Sequence, residues 1–499
     1  MILANLAALQ VVIPLLAAPI GIALRPATLA WAWATLVAIA AFACSVGLFL
    51  QVQTGGPISY AIGGWEPPWG IEYKVDALST FMLVLISGIG ASVLLYARRS
   101  VEAEIDPPRI YLFYVAYLLC LSGLLGMVIT GDAFNVFVFL EISSLSSYAM
   151  IAMGKSRRAL AAAYHYLILG TVGATFYVIG VGMVYMLTGT LNMDDLARLM
   201  PQAAGYRTLE VALAFFTVGL ALKLALFPMH KWLPDAYTYA PSVVTAFLAS
   251  TSTKVGLYVM IRVFFTVFGA PYMTEGIPVA DVLVVLALAA MFSGSAVAIW
   301  QGDLKRSLAY SSVAQIGYMV LGVALISVAG MTAGLLHLFN HALMKAALFL
   351  ALGAVFLRIG SVHIQDMQGI ARQMPITMAC FVVGGLSLIG VPLTAGFISK
   401  WYLMLAAFQD GRWWLAVLIV LSSLLAVVYV WRVVEAAYLR PRPQGAPVAT
   451  EAPLSLLLPM IGMAAANIWF GIDTSFSMTA AEAAARAALG AALGTGGVQ

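Results

Sequence analysis

Leu224-Ala-Leu-Phe227 runs into Pro228 and then into the polar stretch Met229-His-Lys-Trp-Leu-Pro-Asp235. An apolar helix arriving here has to stop, because proline removes a backbone donor and clashes with the preceding turn. A second interruption, Gly390-Val-Pro392-Leu-Thr-Ala-Gly396, cuts another long apolar run. At membrane depth a broken helix is tolerated only where it lines a cavity or is buried in protein. Matching interruptions in two parts of one chain point to inverted repeats with a transport path at their interface.

The surrounding composition demands a membrane. Of 499 residues, 63% are hydrophobic and 9% charged, with a mean hydropathy of +0.99; soluble domains carry roughly 25% charged residues. A cytosolic enzyme and a disordered chain are thereby excluded. The net charge is +4, with no basic run longer than Arg98-Arg99 or Arg157-Arg158, so a nucleic-acid partner has no electrostatic footprint. Cys44, Cys120 and Cys380 lie far apart in apolar stretches, which argues against a disulfide framework and against zinc or iron–sulfur sites. No glycine-rich phosphate loop is present. The expectation is no cofactor and no metal in this chain, with any redox chemistry or nucleotide hydrolysis left to partner chains. Ile2 to Leu24 lacks a charged leader and reads as a retained helix.

A spanning helix needs about 20 apolar residues. By that measure the chain is an all-α membrane protein of about fourteen transmembrane helices, near 3–24, 29–51, 77–97, 110–129, 132–153, 160–188, 208–238, 241–268, 279–300, 308–327, 331–357, 376–409, 413–434 and 453–472. The breaks fall in spans seven and twelve, five spans apart. This predicts N-terminal helices in 1–109, a first inverted five-helix repeat in 110–268, a second in 279–434, and a last span with its tail in 435–499. With the N-terminus outside, fifteen of the 25 Lys and Arg residues face the cytoplasm and five, Lys74, Arg198, Arg207, Arg412 and Arg486, face outward. That bias supports the register and a multi-pass place in a bacterial cytoplasmic (inner) membrane.

Lys223, Lys254, Arg262, Lys345 and Lys400 remain inside the spans, and Glu141 is the one deep carboxylate. Buried charges cost several kcal/mol, so each needs a partner or a purpose. Glu141 and Lys223 read as a pair in which the lysine loads and releases a proton as its carboxylate approaches or leaves; the rival reading is a static ion pair. Lys254, beside Ser250-Thr-Ser-Thr253, lies at the depth of a relay between the halves. Arg262, two turns further outward, reads as structural, able to snorkel. His337, His341 and Lys345 follow at i, i+4 and i+8 on one helix face, about 6 Å apart per step. Histidine passes protons near neutral pH, whereas two histidines without a carboxylate or thiolate make a weak metal site. Lys400 follows the second break as Lys223 precedes the first. Together these residues spell a polar axis along the bilayer midplane. His165, Asp235 and His363 read as interfacial, and the alanine-rich tail from Thr479 to Leu493 as a surface helix.

Four stretches carry a resemblance: Gly131-Asp-Ala-Phe-Asn-Val-Phe-Val-Phe-Leu-Glu141, Lys223-Leu-Ala-Leu-Phe-Pro-Met-His-Lys-Trp-Leu-Pro-Asp-Ala236, Leu336-His-Leu-Phe-Asn-His-Ala-Leu-Met-Lys345 and Gly390-Val-Pro-Leu-Thr-Ala-Gly-Phe-Ile-Ser-Lys400. With them the chain resembles the antiporter-like subunits shared by Mrp-type sodium/proton antiporters, respiratory complex I and membrane-bound hydrogenases. The resemblance implies that Glu141 and Lys223 form the pumping pair, Lys254 with His337, His341 and Lys345 the bridge, and Lys400 the exit lysine. Gly63-Gly-Trp-Glu-Pro-Pro-Trp-Gly-Ile-Glu-Tyr73, ahead of Asp76-Ala-Leu-Ser79, looks most like the D-type component of the Mrp antiporter. A lysine at 400 disfavours the complex I subunit of similar length that carries glutamate there. The implied function is proton translocation within a cation/proton antiporter, exchanging Na+ or K+ beside partner membrane subunits of the Mrp A, B, C, E, F and G type. On that reading it is a secondary antiporter subunit and no enzyme in itself. The alternatives are a proton-pumping subunit of a redox-driven complex, of the complex I or membrane-bound hydrogenase type, and a structural subunit whose buried charges only fix helix packing.

Overall fold

The computed structural model describes residues 3–274 and 278–490. Ile2 and the tail residues 491–493, both included in the expectations above, lie outside the described residues. In chain order the helices are α1 (Leu6–Ala23), α2 (Ala27–Gly55), α3 (Ala77–Glu104), α4 (Ile110–Ile129), α5 (Ala133–Ala152), α6 (Arg157–Thr188), α7 (Met193–Leu199), α8 (Arg207–Leu224), α9 (Trp232–Tyr239), α10 (Ser242–Ile261), α11 (Pro271–Thr274), α12 (Val279–Trp300), α13 (Leu304–Ala324), α14 (Val328–Ile359), α15 (Pro375–Ile389), α16 (Ala395–Gln409), α17 (Trp413–Val434), α18 (Leu454–Ile472) and α19 (Ser475–Gly490). A short hairpin of β1 (Ile58–Ala61) and β2 (Glu72–Val75) precedes α3. Twelve helices among the described residues are long and apolar enough to span a bilayer. The two broken spans, α8 with α9 and α15 with α16, bring the total to the expected fourteen.

Both breaks adopt left-handed backbone. At the first, Ala225 has φ 60°; at the second, Gly390 has φ 91° and Leu393 φ 70°. Left-handed non-glycine residues are costly and persist where the surroundings over-determine them. Each break leaves the last carbonyls of a helix without their intrahelical donors, and a lysine lies next to each.

Capping fixes the helices that flank these breaks, and it repeats along the chain. Asp132 caps α5 by accepting from the Asn135 amide, and Asp303 caps α13 by accepting from the Arg306 amide. Ser156 begins α6 and Ser327 begins α14; Gly189 and Gly360, each at φ 71°, end them. Asp132 bridges to Asn192 and Asp303 to His363. All four correspondences share one offset of 171 residues. They lie at opposite ends of the bundle, as an inverted relation requires.

Ion pairs between loops test the register independently. Lys74 pairs with Asp194 and Arg412 with Asp281 at one end; Arg306 pairs with Asp235 and Lys305 with Glu104 at the other. Each joins two segments that the odd–even count of spans puts on the same side. The second group marks the end where most basic residues lie, called the basic end below.

The core is built around α10 and α14. All 20 residues of α10 are buried, and α14 is buried over most of its 32 residues. These central helices carry Lys254, His337, His341 and Lys345. The alanine-rich tail forms α19, whose Ala480, Ala481, Ala484, Ala485 and Ala488 are buried against α14 and α3. It is a packed element rather than a loose surface helix.

Candidate functional site

The first lysine stands at the end of α8. The Lys223 ammonium is buried and donates to Ser144 Oγ at 2.6 Å and Ser143 Oγ at 3.5 Å, both on α5. Glu141, three residues before Ser144 on that helix, is half-buried and forms no ion pair with Lys223 among the described residues. It shares the outward stripe of α5 with exposed Phe134, Val138 and Leu145, the i, i+4, i+7, i+11 spacing of one helix face. The static ion pair is therefore not what joins them: serines hold the lysine, and the carboxylate stands on the half-buried outer stripe of α5.

Next comes Lys254. Gly256 sits where an added Cβ would come within 3.3 Å of the Leu224 backbone, so this glycine lets α10 pack on the broken end of α8. Lys254, fully buried, donates to the Ala249 carbonyl and to Thr253 Oγ1 at 3.4 Å. No carboxylate pairs with it among the described residues.

On α14 the three predicted residues are all fully buried. His337 bonds through Nδ1 to Ser399 Oγ and through Nε2 to Gln315 Oε1, each at 2.9 Å. Its ring lies 6.3 Å from that of His341, tilted by only 13°. Neither nitrogen of His341 has a hydrogen-bond partner among the described residues. Lys345 donates to the Leu308 carbonyl at 2.7 Å and to Ser311 Oγ at 2.5 Å.

Lys400 closes the series. Its ammonium donates to the Leu388 and Ile389 carbonyls, both at 2.9 Å, at the C-terminal end of α15. These are the carbonyls freed by the break, at the negative end of a helix dipole. The same ammonium lies 4.8 Å from the centre of the Tyr318 ring, and that ring lies 5.4 Å from His337. Tyr318 thus stands between the His337 imidazole and the Lys400 ammonium.

Arg262 stands outside this axis. It is buried and pairs with Asp76 at 2.5 Å, with its Nε donating to the Tyr258 hydroxyl at 2.8 Å. The structural reading holds, through a buried ion pair rather than snorkelling. Of the interfacial residues, Asp235 pairs with Arg306, and His363 lies 4.0 Å from Asp303. Among the described residues no group of three His, Cys, Asp or Glu side chains could hold a metal ion.

Sequence reasoning missed Ser143, Ser144, Ser311, Gln315, Tyr318 and Ser399. A signal was present for three of them. Ser311, Gln315 and Tyr318 follow at i, i+4 and i+7 in an apolar span, a polar stripe at helical spacing.

Comparisons with known proteins sort the branches. The NADH:quinone oxidoreductase/Mrp antiporter transmembrane family matches residues 130–426. NADH-quinone oxidoreductase subunit N of Desulforudis audaxviator is 43% identical over 485 residues, covering 94% of this chain and 96% of that one. The D-type component of the Na(+)/H(+) antiporter of Alkalihalophilus pseudofirmus is 31% identical over 428 residues, covering 86% and 85%. A chain in the structure of the Mrp complex from Dietzia sp. superposes with a TM-score of 0.89 at 27% identity, over 99% of this chain and 100% of that one. A chain of the membrane-bound sulfane sulfur reductase, an archaeal respiratory membrane complex, gives 0.90 at 30% identity, over 97% and 98%. The expected order of the branches is thereby reversed, since similarity to the subunit N protein exceeds that to the antiporter's D-type protein. A buried line of lysines and histidines around two broken helices, with these similarities over nearly the whole chain, makes it a member of the NADH:quinone oxidoreductase/Mrp antiporter family of multi-pass, proton-translocating membrane subunits.

Proposed function

We propose that this chain is the proton-translocating subunit of a redox-driven complex of the NADH:quinone oxidoreductase type, seated in a bacterial cytoplasmic membrane with its basic end inside. The observation that carries this reading is the line of titratable groups crossing both halves: Lys223, Lys254, Lys345, His341, His337 and Lys400, each on hydroxyls, amides or freed carbonyls or, for His341, without a partner among the described residues. A lysine held only by neutral acceptors gives up its proton more readily than one clamped by a carboxylate. The serines beside Lys223 and Lys345 both accept and donate, so they can relay protons.

Glu141 takes the coupling role. A half-exposed carboxylate on an apolar outer stripe needs a partner, and a neighbouring membrane subunit would supply it. Movement of positive charge in that neighbour alters the attraction between Glu141 and Lys223, and with it the proton affinity of the lysine. The two five-helix sets, 110–268 and 279–434, act as inverted repeats, a division supported by the constant offset of the caps. Redox groups belong to partner chains, as the name of the subunit N relative suggests. A second reading, a subunit of an Mrp-type Na+ (or K+)/H+ antiporter, rests on the superposition with the Mrp complex chain.

One experiment separates the two. The native complex is purified through a tag on this chain, its subunits are identified, and it is placed in vesicles. Flavin- and iron–sulfur-binding partners, with a pH gradient driven by electron transfer to quinone, are expected. Small Mrp-type partners and a gradient that collapses on adding sodium would establish the second reading instead.

A further inference from the structure

At the basic end a cavity of about 380 Å3 lies between the two halves, lined by the end of α3, the α5–α6 and α9–α10 turns, the start of α13 and the loop after α14. Its wall holds a buried carboxylate and a buried ammonium outside the axis described above. Glu104 Oε1 accepts from Ser100 Oγ at 2.8 Å; its Oε2 accepts from the Ser242 amide and hydroxyl at 2.9 and 3.1 Å. Lys305 Nζ stands 4.0 Å from the same oxygen and donates to the Ala240 carbonyl at 3.2 Å. The rim carries exposed His363, 4.0 Å from Asp303, and Lys155, which donates to the Ala103 carbonyl. Tyr96 and Tyr239 are the remaining titratable neighbours.

Two routes run from this pair to Lys345. Along α13, Lys305 is three residues from Leu308 and six from Ser311, the two groups that receive the Lys345 ammonium. Along α14, Gly353 lets Ser242 and Tyr96 approach: a Cβ there would meet the Tyr96 hydroxyl at 2.7 Å and Ser242 Cβ at 2.8 Å. Tyr96 donates to the Leu350 carbonyl, five residues or about 7.5 Å of helix rise from Lys345. The opposite end supplies a contrast. There the buried pair is Asp76 with Arg262, and a guanidinium cannot release a proton in a protein. The molecule thus places an exchangeable cation at one end and a fixed one at the other.

We propose that the Glu104–Lys305 cavity is the entrance through which protons from the basic-end solution reach Lys345. The Glu104 carboxylate takes a proton from the cavity, and its hold on the Lys305 ammonium weakens. In one concerted shift the Ser311 hydroxyl proton passes to a neutral Lys345 amine as Ser311 Oγ takes up the proton that Glu104 releases. Glu104 returns to the carboxylate, and one proton has moved from solution to the Lys345 ammonium. This rests on the proton-translocating reading above, and its test keeps the two apart.

Proton translocation is measured in inverted vesicles holding the intact complex, with the basic end outward and the outer pH varied. Glu104→Gln keeps the size and, with its oxygen accepting from Ser242 and its NH2 donating to Ser100 Oγ, keeps a bond to each, but cannot carry a proton. At matched assembly it is expected to slow translocation roughly tenfold, with a loss that deepens as outer pH rises and free protons become scarce. Glu104→Asp is expected to recover most of the rate. Parental rates in Glu104→Gln would overturn the entrance. So would a loss that is flat with pH and shared by Glu104→Asp, since that marks a packing role. Lys223→Ala is run alongside: if it too translocates normally, the reading of the whole axis fails, whereas loss there with normal Glu104→Gln removes the entrance alone.

Discussion

The Lys400 ammonium rests on two helix-end carbonyls and one aromatic face, and no carboxylate pairs with it among the described residues. With no fixed carboxylate to hold it, this ammonium separates two substitutions. Lys400→Arg keeps the charge but cannot deprotonate, so both Lys400→Arg and Lys400→Ala are expected to stop proton translocation at normal assembly. A near-parental rate in the arginine variant, followed over a pH series, would restrict Lys400 to a static role. Tyr318 adds the aromatic face. Tyr318→Leu removes a cation–π contact of about 1 kcal/mol and is expected to slow transport about fivefold, whereas Tyr318→Phe keeps the ring and most of the rate. The buried pair at the opposite end behaves differently. Burial raises the Asp76 carboxyl, but the charge and hydrogen bond of Arg262, with bonds from Ser79, outweigh it and bring the group down to about 2. A lowered folded pKa means that this stabilisation is present above the ordinary value of 3.8 and is lost as pH falls toward about 2. Asp76→Asn strands a buried guanidinium and is expected to cost about 3–5 kcal/mol in unfolding free energy. Thermal unfolding in detergent, set against transport per folded molecule, checks that the loss is one of stability.

Among the elements, the two breaks were the most legible, because proline and glycine announce them. Span twelve stops at Ile389, directly before Gly390, and span seven at Leu224, one helical turn before Pro228. Gly390 is required there twice over: its φ is 91°, and a Cβ would lie 3.0 Å from Lys400 Cδ. Gly390→Ala is expected to cost about 1–2 kcal/mol and to displace Lys400, measured as a lower unfolding temperature together with slower transport. Helix ends were less legible. The third span was drawn to residue 97, yet α3 continues to Glu104 through Arg98 and Arg99. Those residues are polar, and the Arg98–Glu102 pair, the Ser100–Glu104 bond and the burial of Val101 carry the helix beyond the apolar stretch. The β1–β2 hairpin escaped notice because four-residue strands carry too little alternation to read. It is held by the Ser59 hydroxyl, bonding across the hairpin to the Glu72 carboxylate, and by the distant Asn192 amide bonding to the same group.

For the molecule as a whole, hydropathy and charge bias gave the fourteen spans and their register, since bilayer thickness and loop charge act locally on sequence. They could not give the side-chain directions that decide the site. Glu141 and Lys223 read as a pair whose carboxylate approaches or leaves, but their distance depends on how α5 and α8 are rotated, and that rotation turns Glu141 outward and presents Ser143 and Ser144 to the lysine. Glu104 and Lys305 fell outside the expected spans 77–97, 279–300 and 308–327 and were passed over, because the cavity between them forms only when the halves pack. The central claim is that protons cross from one half to the other through Lys254, fully buried on a helix with no exposed residue. The most direct measurement is the pH gradient formed by vesicles holding the intact complex with Lys254→Met, which fills similar volume and carries no proton. The account predicts an assembled complex that builds no gradient; a gradient of parental size would contradict it.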